Sequence, residues 1–124
     1  MSDNLTVLVV EDDPISQEMT RHALASAGHT VLTANDAFAA LDLLGAHRPD
    51  VIVTDWNMPG MNGIEFVAKL RTLAAYAKTP VLMMTTMAEK ENILEAMKTG
   101  VTNYVVKPFD ARTLKKKIEQ ILDG

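Results

Sequence analysis

The sequence predicts an α/β fold, a doubly wound five-stranded parallel sheet of (βα)5 type with helices on both faces. Five short apolar runs alternate along the chain with longer segments whose apolar residues recur every three or four positions. Four of the runs are nearly continuous in apolar residues, which is typical of strands covered on both faces. Five alternations of strand and helix imply right-handed crossovers and one sheet between two helical layers.

The predicted strands are the five apolar runs themselves. They cover residues 5–10, 30–33, 51–54, 80–84 and 103–106. The run at 30–33 reads Thr-Val-Leu-Thr and is the most polar of the five. We therefore expect it at an edge of the sheet, where one side of a strand meets water.

Each predicted helix follows a strand and is expected to bury one apolar stripe. The five stripes are Ile15, Met19 and Ala23; Phe38, Leu41 and Leu44; Phe66, Leu70 and Leu73; Ile93, Ala96 and Met97; and Leu114, Ile118, Ile121 and Leu122. Gly28 and Gly100 are expected to end the first and fourth helices. Asp36 or Asn35 is expected to cap the second helix, and Asp110 the fifth.

Length and composition restrict the class of protein. The 124 residues suit one domain, and the net charge of −4 argues against nucleic acid as an obligatory partner. The lack of cysteine excludes disulfides and thiolate metal sites. No leader pattern is present, and no apolar run approaches the ~20 residues that span a bilayer. We expect one soluble, cytoplasmic, monomeric domain over residues 1–124, without a membrane partner.

Polar residues follow four of the five strands, at the edge of a parallel sheet where ligands bind. They are Glu11, Asp12 and Asp13 after the first strand, Asp55 after the third, Thr85 and Thr86 after the fourth, and Lys107 after the fifth. Clustered carboxylates repel one another. A hard divalent cation with oxygen ligands, such as Mg²⁺, relieves that repulsion. The strand ends therefore predict a metal site.

The same residues suit phosphoryl transfer to Asp55. A carboxylate can accept a phosphoryl group, and a bridging cation neutralises the charge that develops. Lys107 supplies a positive charge for a phosphate oxygen, and Thr85 supplies a hydroxyl donor. The chain contains neither GxxxxGK[ST] nor GxGxxG, so no nucleotide-binding loop is predicted. The alternative for Asp55 is an ordinary helix cap after a strand.

The sequence resembles the response-regulator receiver domains, and among them the single-domain regulators of chemotaxis. The resemblance rests on VVEDDP (residues 9–14), DWNMPGMNG (55–63), KENI (90–93) and YVVKPF (104–109), and extends over essentially the whole chain. It implies a flavodoxin-like receiver fold with Asp55 as the phosphoryl acceptor. It also implies that Glu11 with Asp12 forms the acidic pair, and that Thr85 and Lys107 complete the site.

The resemblance implies Mg²⁺ as cofactor. Asp12 and Asp55 would bind the metal directly, Glu11 would act through water, and Asn57 would offer its backbone carbonyl. Three adjacent acids make this assignment ambiguous, but the family pair directly follows the two valines. Asp13 precedes Pro14, a favoured first helical residue, so we expect it to act as an N-cap.

Further roles follow from the same resemblance. Thr85 and Tyr104 would switch the output face on the fourth helix, fifth strand and fifth helix, although Tyr104 has the alternative of simply packing on the sheet edge. Asn57 and Met87 would border the path of the hydrolytic water, and Met87 departs from the glutamate usual in chemotaxis relatives. Pro108 fits the family's tight, usually cis, turn. The run Lys115-Lys116-Lys117 is either a solvated helix face or a partner contact.

The implied function is a signalling relay. A sensor histidine kinase (CheA-like) would phosphorylate Asp55, and the phosphorylated protein would bind a flagellar motor switch protein. The alternatives are a phosphorelay intermediate that serves a phosphotransfer domain, or another stand-alone receiver outside chemotaxis. The chain would catalyse only its own phosphorylation and dephosphorylation. Two other classes fit less well. A haloacid-dehalogenase-type phosphohydrolase usually carries a second Asp where Asn57 stands, and a flavin-binding domain needs a phosphate-cradling loop after strand one.

Overall fold

The computed structural model describes residues 4–86 and 90–123. The strands are β1 (Thr6–Val10), β2 (Thr30–Ala34), β3 (Val51–Asp55), β4 (Val81–Thr85) and β5 (Asn103–Val106). The helices are α1 (Pro14–Ser26), α2 (Ala37–Leu44), α3 (Gly63–Thr72), α4 (Lys90–Thr99) and α5 (Ala111–Asp123), with a short 3₁₀ helix at Ala74–Tyr76. The predicted alternation of strand and helix is confirmed.

The five strands form one parallel sheet in the order β2-β1-β3-β4-β5. The predicted edge position of the second strand is confirmed. The register pairs Val10 with Thr54, Asp55 with Met84 and Thr85 with Val106, so the carboxyl ends of four neighbouring strands lie side by side. This alignment brings together the residues that follow those strands.

Helices cover both faces of the sheet, as the apolar runs predict. On one face, strand residues such as Leu8 and Ile52 pack with Phe66 and other residues of α2, α3 and α4. On the other face, residues such as Val9 and Val53 pack with α1 and α5. In the described part of the chain, no helix is long and apolar enough to cross a membrane.

The predicted stripe of α1 is wrong. Ile15 and Met19 are 71% and 66% exposed, and the buried residues of the helix are Thr20 and Leu24. Ala23 packs only at the margin of the core. The error arose because the buried stripe includes a polar residue, Thr20, whose hydroxyl lies against the Met84 sulfur at 3.9 Å.

The ends of three other predicted stripes also lie at the surface. Phe38, Met97 and Leu122 are exposed, while the remaining members are buried or partly buried. Phe38 belongs to the first turn of α2, and its ring covers Gly60 in the loop after β3, where φ is +83°. A Cβ at Gly60 would come within 2.8 Å of that ring, so the contact requires glycine.

The predicted helix caps are present. Asp13 accepts a hydrogen bond from the Ser16 N–H at 2.8 Å, which confirms it as the N-cap of α1. Asp36, rather than Asn35, caps α2. Asp110 accepts from the Thr113 N–H at the start of α5. The Asp13 side chain is therefore engaged at the start of α1.

Candidate metal site at the carboxyl end of the sheet

Three carboxylates meet where β1 and β3 end. Glu11 and Asp12 follow β1, Asp55 is the last residue of β3, and one oxygen of each lies within 4.8 Å of the others. Glu11 and Asp55 are buried, whereas Asp12 is exposed to solvent. An all-oxygen group open to water on one side suits a hard divalent cation that keeps some of its water ligands.

Lys107 completes the cluster from β5. Its Nζ atom lies 2.8 Å from Glu11 Oε1 and 3.2 Å from Asp55 Oδ1. Its backbone N–H donates to the Thr85 carbonyl at 2.8 Å, which holds the residue beside the end of β4. The Lys107–Pro108 peptide bond is cis, as expected for this turn. The sequence-predicted lysine therefore touches two of the three predicted acids.

Burial and charge shift the pKa values in this cluster. Burial is the main reason why the pKa of the Glu11 carboxyl is raised; the Lys107 hydrogen bond opposes it and the nearby Asp55 carboxyl reinforces it. Burial acts to lower the pKa of Lys107, but the hydrogen bond to Glu11 and the charge of Asp55 outweigh it and raise that pKa. Lys107 is thus held as a cation by acids that repel one another.

The backbone around Asp55 is fixed by close packing. The Trp56 N–H donates to the Met84 carbonyl, and the Gly63 N–H donates to the Trp56 carbonyl at 2.7 Å. A Cβ on Gly63 would overlap the Asp55 carbonyl oxygen and lie 3.0 Å from the Met83 sulfur. Gly63 therefore lets the start of α3 press against the end of β3. The string DWNMPGMNG includes this glycine, but its steric requirement was not predicted.

Of the other predicted site residues, Thr85 and Asn57 lie at the same edge of the sheet. Thr85 is the buried last residue of β4, and Asn57 is exposed in the loop after β3, two residues beyond Asp55. Tyr104 lies in β5, half-buried against the core formed with α2, α3 and α4. Met87 lies outside the described residues, so its predicted role stays a prediction.

Gln17 is a site neighbour that the sequence did not reveal. Its side-chain amide donates toward the Glu11 carbonyl at 3.0 Å and the Asn35 side chain at 2.9 Å. No motif marks this residue, because two of the oxygens near its amide belong to the backbone. A glutamine in the second turn of a helix gives no signal of its own.

A shallow groove of about 400 Å³ lies beside β5 and α5. Tyr104, Val106, Phe109 and Lys117 contribute to its walls, and Lys117 Nζ lies 5.1 Å from the centre of the Tyr104 ring. Tyr104 therefore packs on the sheet and also faces the surface. Both alternatives predicted for this residue, packing and switching, are compatible with that position.

Fold and site together define a doubly wound α/β domain with a cluster of carboxylates and one lysine at the carboxyl edge of its sheet. A family model described as the response regulator receiver domain matches residues 7–119. The chemotaxis protein CheY homolog of Campylobacter jejuni is 41% identical over 120 residues, which cover 95% of this chain and 92% of the relative. Chemotaxis protein CheY-3 of Vibrio cholerae is 38% identical over 124 residues, 99% and 95% of the two chains.

The solved structure of chemotaxis response regulator CheY4 of Vibrio cholerae has a TM-score of 0.91 and 40% identity to this chain. The match covers 95% of this chain and 98% of that one. The chain belongs to the response regulator receiver family. The predicted resemblance is confirmed, and the protein is a response regulator with full-length similarity to CheY proteins.

Proposed function

We propose that this response regulator acts in chemotaxis and accepts a phosphoryl group on Asp55 from a sensor histidine kinase, in a Mg²⁺-dependent reaction. One observation carries the proposal. Asp55 Oδ1 lies 3.2 Å from Lys107 Nζ, within a cluster of three carboxylates in which one oxygen of each lies within 4.8 Å of the others. The pathway comes from the names of the relatives, which are chemotaxis proteins.

The residues fit Mg²⁺ by charge and by ligand type. Three carboxylates and one lysine leave the cluster with an excess of negative charge, and all the candidate ligand atoms are oxygens. Asp12 and Asp55 would hold the ion directly, with the Asn57 carbonyl as a further ligand. Glu11 Oε1 is occupied by Lys107, so Glu11 would act through water. The bound ion would neutralise charge on the phosphoryl oxygens.

The proposed step forms one bond and breaks one. An Asp55 carboxylate oxygen attacks phosphorus, and the phosphorus–nitrogen bond of the donor phosphohistidine breaks, with its electron pair going to the imidazole. Lys107 then exchanges part of its contact with Asp55 for a phosphoryl oxygen. The Thr85 hydroxyl donates to a second phosphoryl oxygen. Because the Lys107 N–H donates a hydrogen bond to the Thr85 carbonyl, movement of one residue would be transmitted to the other.

The phosphorylated state would be read out at the β5–α5 groove. Thr85 pairs with Val106 across the sheet, and Tyr104 stands two residues earlier on β5. A pull on Thr85 would therefore reach the strand that carries Tyr104. Hydrolysis would return the protein to its resting state along the path bordered by Asn57 and Met87. Met87 can neither orient a water nor accept its proton.

Acetyl phosphate with Mg²⁺, followed by intact mass, tests the acceptor. We expect one added phosphoryl group on the wild type and none on Asp55→Asn. Asp42→Asn is the matched control, because Asp42 is exposed on α2 and outside the cluster. Full labelling of Asp55→Asn would contradict the proposal.

The partner is tested with labelled protein. A chemotaxis role predicts binding to a motor switch protein that depends on phosphorylation and is weaker for Tyr104→Ala, although that variant accepts the phosphoryl group normally. Transfer of the label to a phosphotransfer domain, without binding to the switch protein, would instead identify a phosphorelay intermediate. Equal binding by Tyr104→Ala would remove Tyr104 from the output surface.

A further inference from the structure

Gln17 joins the ends of β1 and β2 to the second turn of α1. Its Nε2 atom lies 3.0 Å from the Glu11 carbonyl oxygen, 2.9 Å from Asn35 Oδ1 and 3.3 Å from the Ala34 carbonyl oxygen. An amide nitrogen has two hydrogens for these three acceptors. The Ala34 oxygen already accepts from the Glu11 N–H at 3.0 Å. The Gln17 hydrogens therefore serve mainly the two nearer oxygens, on Glu11 and Asn35.

These contacts hold the Glu11 backbone from both sides. Its N–H is bound to β2 and its carbonyl to α1, while its carboxylate binds Lys107 and the Asp13 N–H. Asp13 is fixed in turn as the α1 cap. Glu11 and Asp13 are thus anchored on either side of Asp12.

Asp12 itself depends on this anchoring. Within residues 4–86 and 90–123, no hydrogen bond or ion pair holds its carboxylate, which is exposed. Its distance from Asp55 is therefore set by the backbone of the turn between β1 and α1. The part of that backbone directly before Asp12 is the Glu11 carbonyl, which Gln17 binds.

We infer that Gln17 is a positioning residue for the divalent cation of the proposed phosphoryl-transfer site. By binding the Glu11 carbonyl it keeps the peptide before Asp12 oriented, so that the Glu11 and Asp12 carboxylates converge on Asp55. In this role Gln17 would act through the Glu11 carbonyl and would contact neither the ion nor the phosphoryl group. The inference rests on the proposed function, because it assumes that this cluster is the cation site.

Length and polarity are both required of the side chain. Methionine has a similar length and flexibility but no N–H, so Gln17→Met leaves the carbonyl without its donor. Asparagine keeps the amide but is one methylene shorter. Both variants preserve the net charge of the cluster. A change in cation affinity therefore reports position rather than charge.

The test measures Mg²⁺ affinity from the emission of Trp56, which directly follows Asp55, and separately from the Mg²⁺-dependent gain in free energy of unfolding. Partners that orient ligands typically contribute 10–100-fold to metal affinity, so we expect Kd for Gln17→Met to rise by about tenfold. Gln17→Asn should show a rise of the same kind. The matched control is Gln120→Met, the same substitution at an exposed position of α5, which should bind Mg²⁺ as the wild type does.

The outcomes separate this inference from the function on which it rests. If the wild type shows no Mg²⁺ effect in either measurement, the proposed metal site itself is wrong. If the wild type binds Mg²⁺ and both Gln17 variants bind it equally well, Gln17 is only a structural link and the inference is overturned. A variant that loses stability without Mg²⁺ but keeps the wild-type Kd overturns it in the same way. If Gln17→Met fails to fold, the Kd of Gln17→Asn decides.

Discussion

Two partly buried cations bind oxygens at opposite edges of the sheet, and their surroundings differ in charge. Lys107, beyond the carboxyl end of β5, binds the carboxylates of Glu11 and Asp55. Arg71, at the end of α3, donates to the carbonyls of Tyr76 and Thr79 at 2.8 Å and to that of Gly100 at 2.6 and 3.2 Å. These carbonyls precede β4 and β5, so Arg71 lies at the amino edge.

The difference in charge separates the proposed phosphoryl-transfer site from a structural contact. Around Arg71 the oxygens are neutral carbonyls that accept from the guanidinium, and burial lowers the pKa of Arg71 with no acid among the described residues to compensate. Around Lys107 the acids outnumber the cation, and their charge raises its pKa in spite of burial. A cluster with excess negative charge can take up a further cation and a phosphoryl group, whereas the Arg71 cluster has no such capacity.

The largest effect is expected at the neutral cluster. Arg71→Met should lower the free energy of unfolding by about 3 kcal/mol, because three partly buried carbonyls lose their donor at about 1 kcal/mol each, the low end of the cost for buried groups. Labelling of Asp55 should remain normal wherever the variant is folded. Denaturant unfolding measures the first effect and intact mass the second. Lys69→Met on the same helix is the exposed control, and an equal loss there would contradict the structural role of Arg71.

Lys107→Met should have a smaller effect that depends on Mg²⁺. Without the ion, the variant leaves the Glu11 and Asp55 carboxylates without their cation, and we expect a loss of about 2 kcal/mol. With Mg²⁺ bound, a large part of that loss should be recovered, because the ion supplies positive charge to the Glu11 and Asp55 carboxylates. The variant also lacks the lysine ammonium that would repel the ion. Unfolding curves with and without Mg²⁺ measure the difference. A loss that is identical in both conditions would mean that lysine and metal do not share the cluster.

For the wild type, Mg²⁺ should stabilise the fold by mass action. At a concentration of ten times Kd the gain is about 1.4 kcal/mol. Asp12→Asn should abolish most of this gain, whereas Asp13→Asn should keep it, because Asp13 caps α1 and asparagine caps a helix as well as aspartate does. Both variants replace an aspartate by asparagine, at adjacent positions, so they remove the same charge. Equal behaviour of both would contradict the assignment of Glu11 and Asp12 as the acidic pair.

The sequence predicted the carboxylate cluster but not the arginine cluster, for a physical reason. Glu11, Asp55 and Lys107 are charged side chains at strand ends, and the alignment of parallel strands places them together. The oxygens bound by Arg71 are backbone carbonyls, which every residue has. No residue type therefore marks them in the sequence. The contact of Gln17 with Glu11 was missed for the same reason.

Packing that depends on shape was also beyond the sequence pattern. Continuous apolar runs predicted the correct strands, because both faces of the sheet are covered. The predicted stripe of α1 was wrong since Thr20 is buried and Ile15 is exposed, which reverses the usual preference of these residue types. Gly63 could be recognised as part of a motif. Only the structure shows that its missing side chain makes room for the Asp55 carbonyl oxygen.

Lys117 is a third cation, and it lies at the surface groove beside β5 and α5. Its substitution should change the free energy of unfolding less than that of Arg71 or Lys107. Lys117 Nζ lies 5.1 Å from the centre of the Tyr104 ring, so its partner is a ring face rather than an oxygen. Cation–π pairs at exposed positions contribute about 0.5–1 kcal/mol, and Lys117→Met should lower the free energy of unfolding by no more than that. Lys116→Met, on the same helix and exposed, serves as the control and should have no measurable effect.

A double-mutant cycle with Tyr104→Ala isolates this pair from the packing of each residue. If Lys117 acts on the ring, the coupling energy between Lys117→Met and Tyr104→Ala should be favourable and nearly independent of Mg²⁺ in the unphosphorylated protein, because neither residue belongs to the carboxylate cluster. A coupling energy of zero would mean that the Lys117 ammonium does not stabilise the position of the Tyr104 ring. In that case the position of Tyr104 depends only on its packing against the core residues of the sheet. Lys117→Met should then leave phosphorylation-dependent partner binding unchanged.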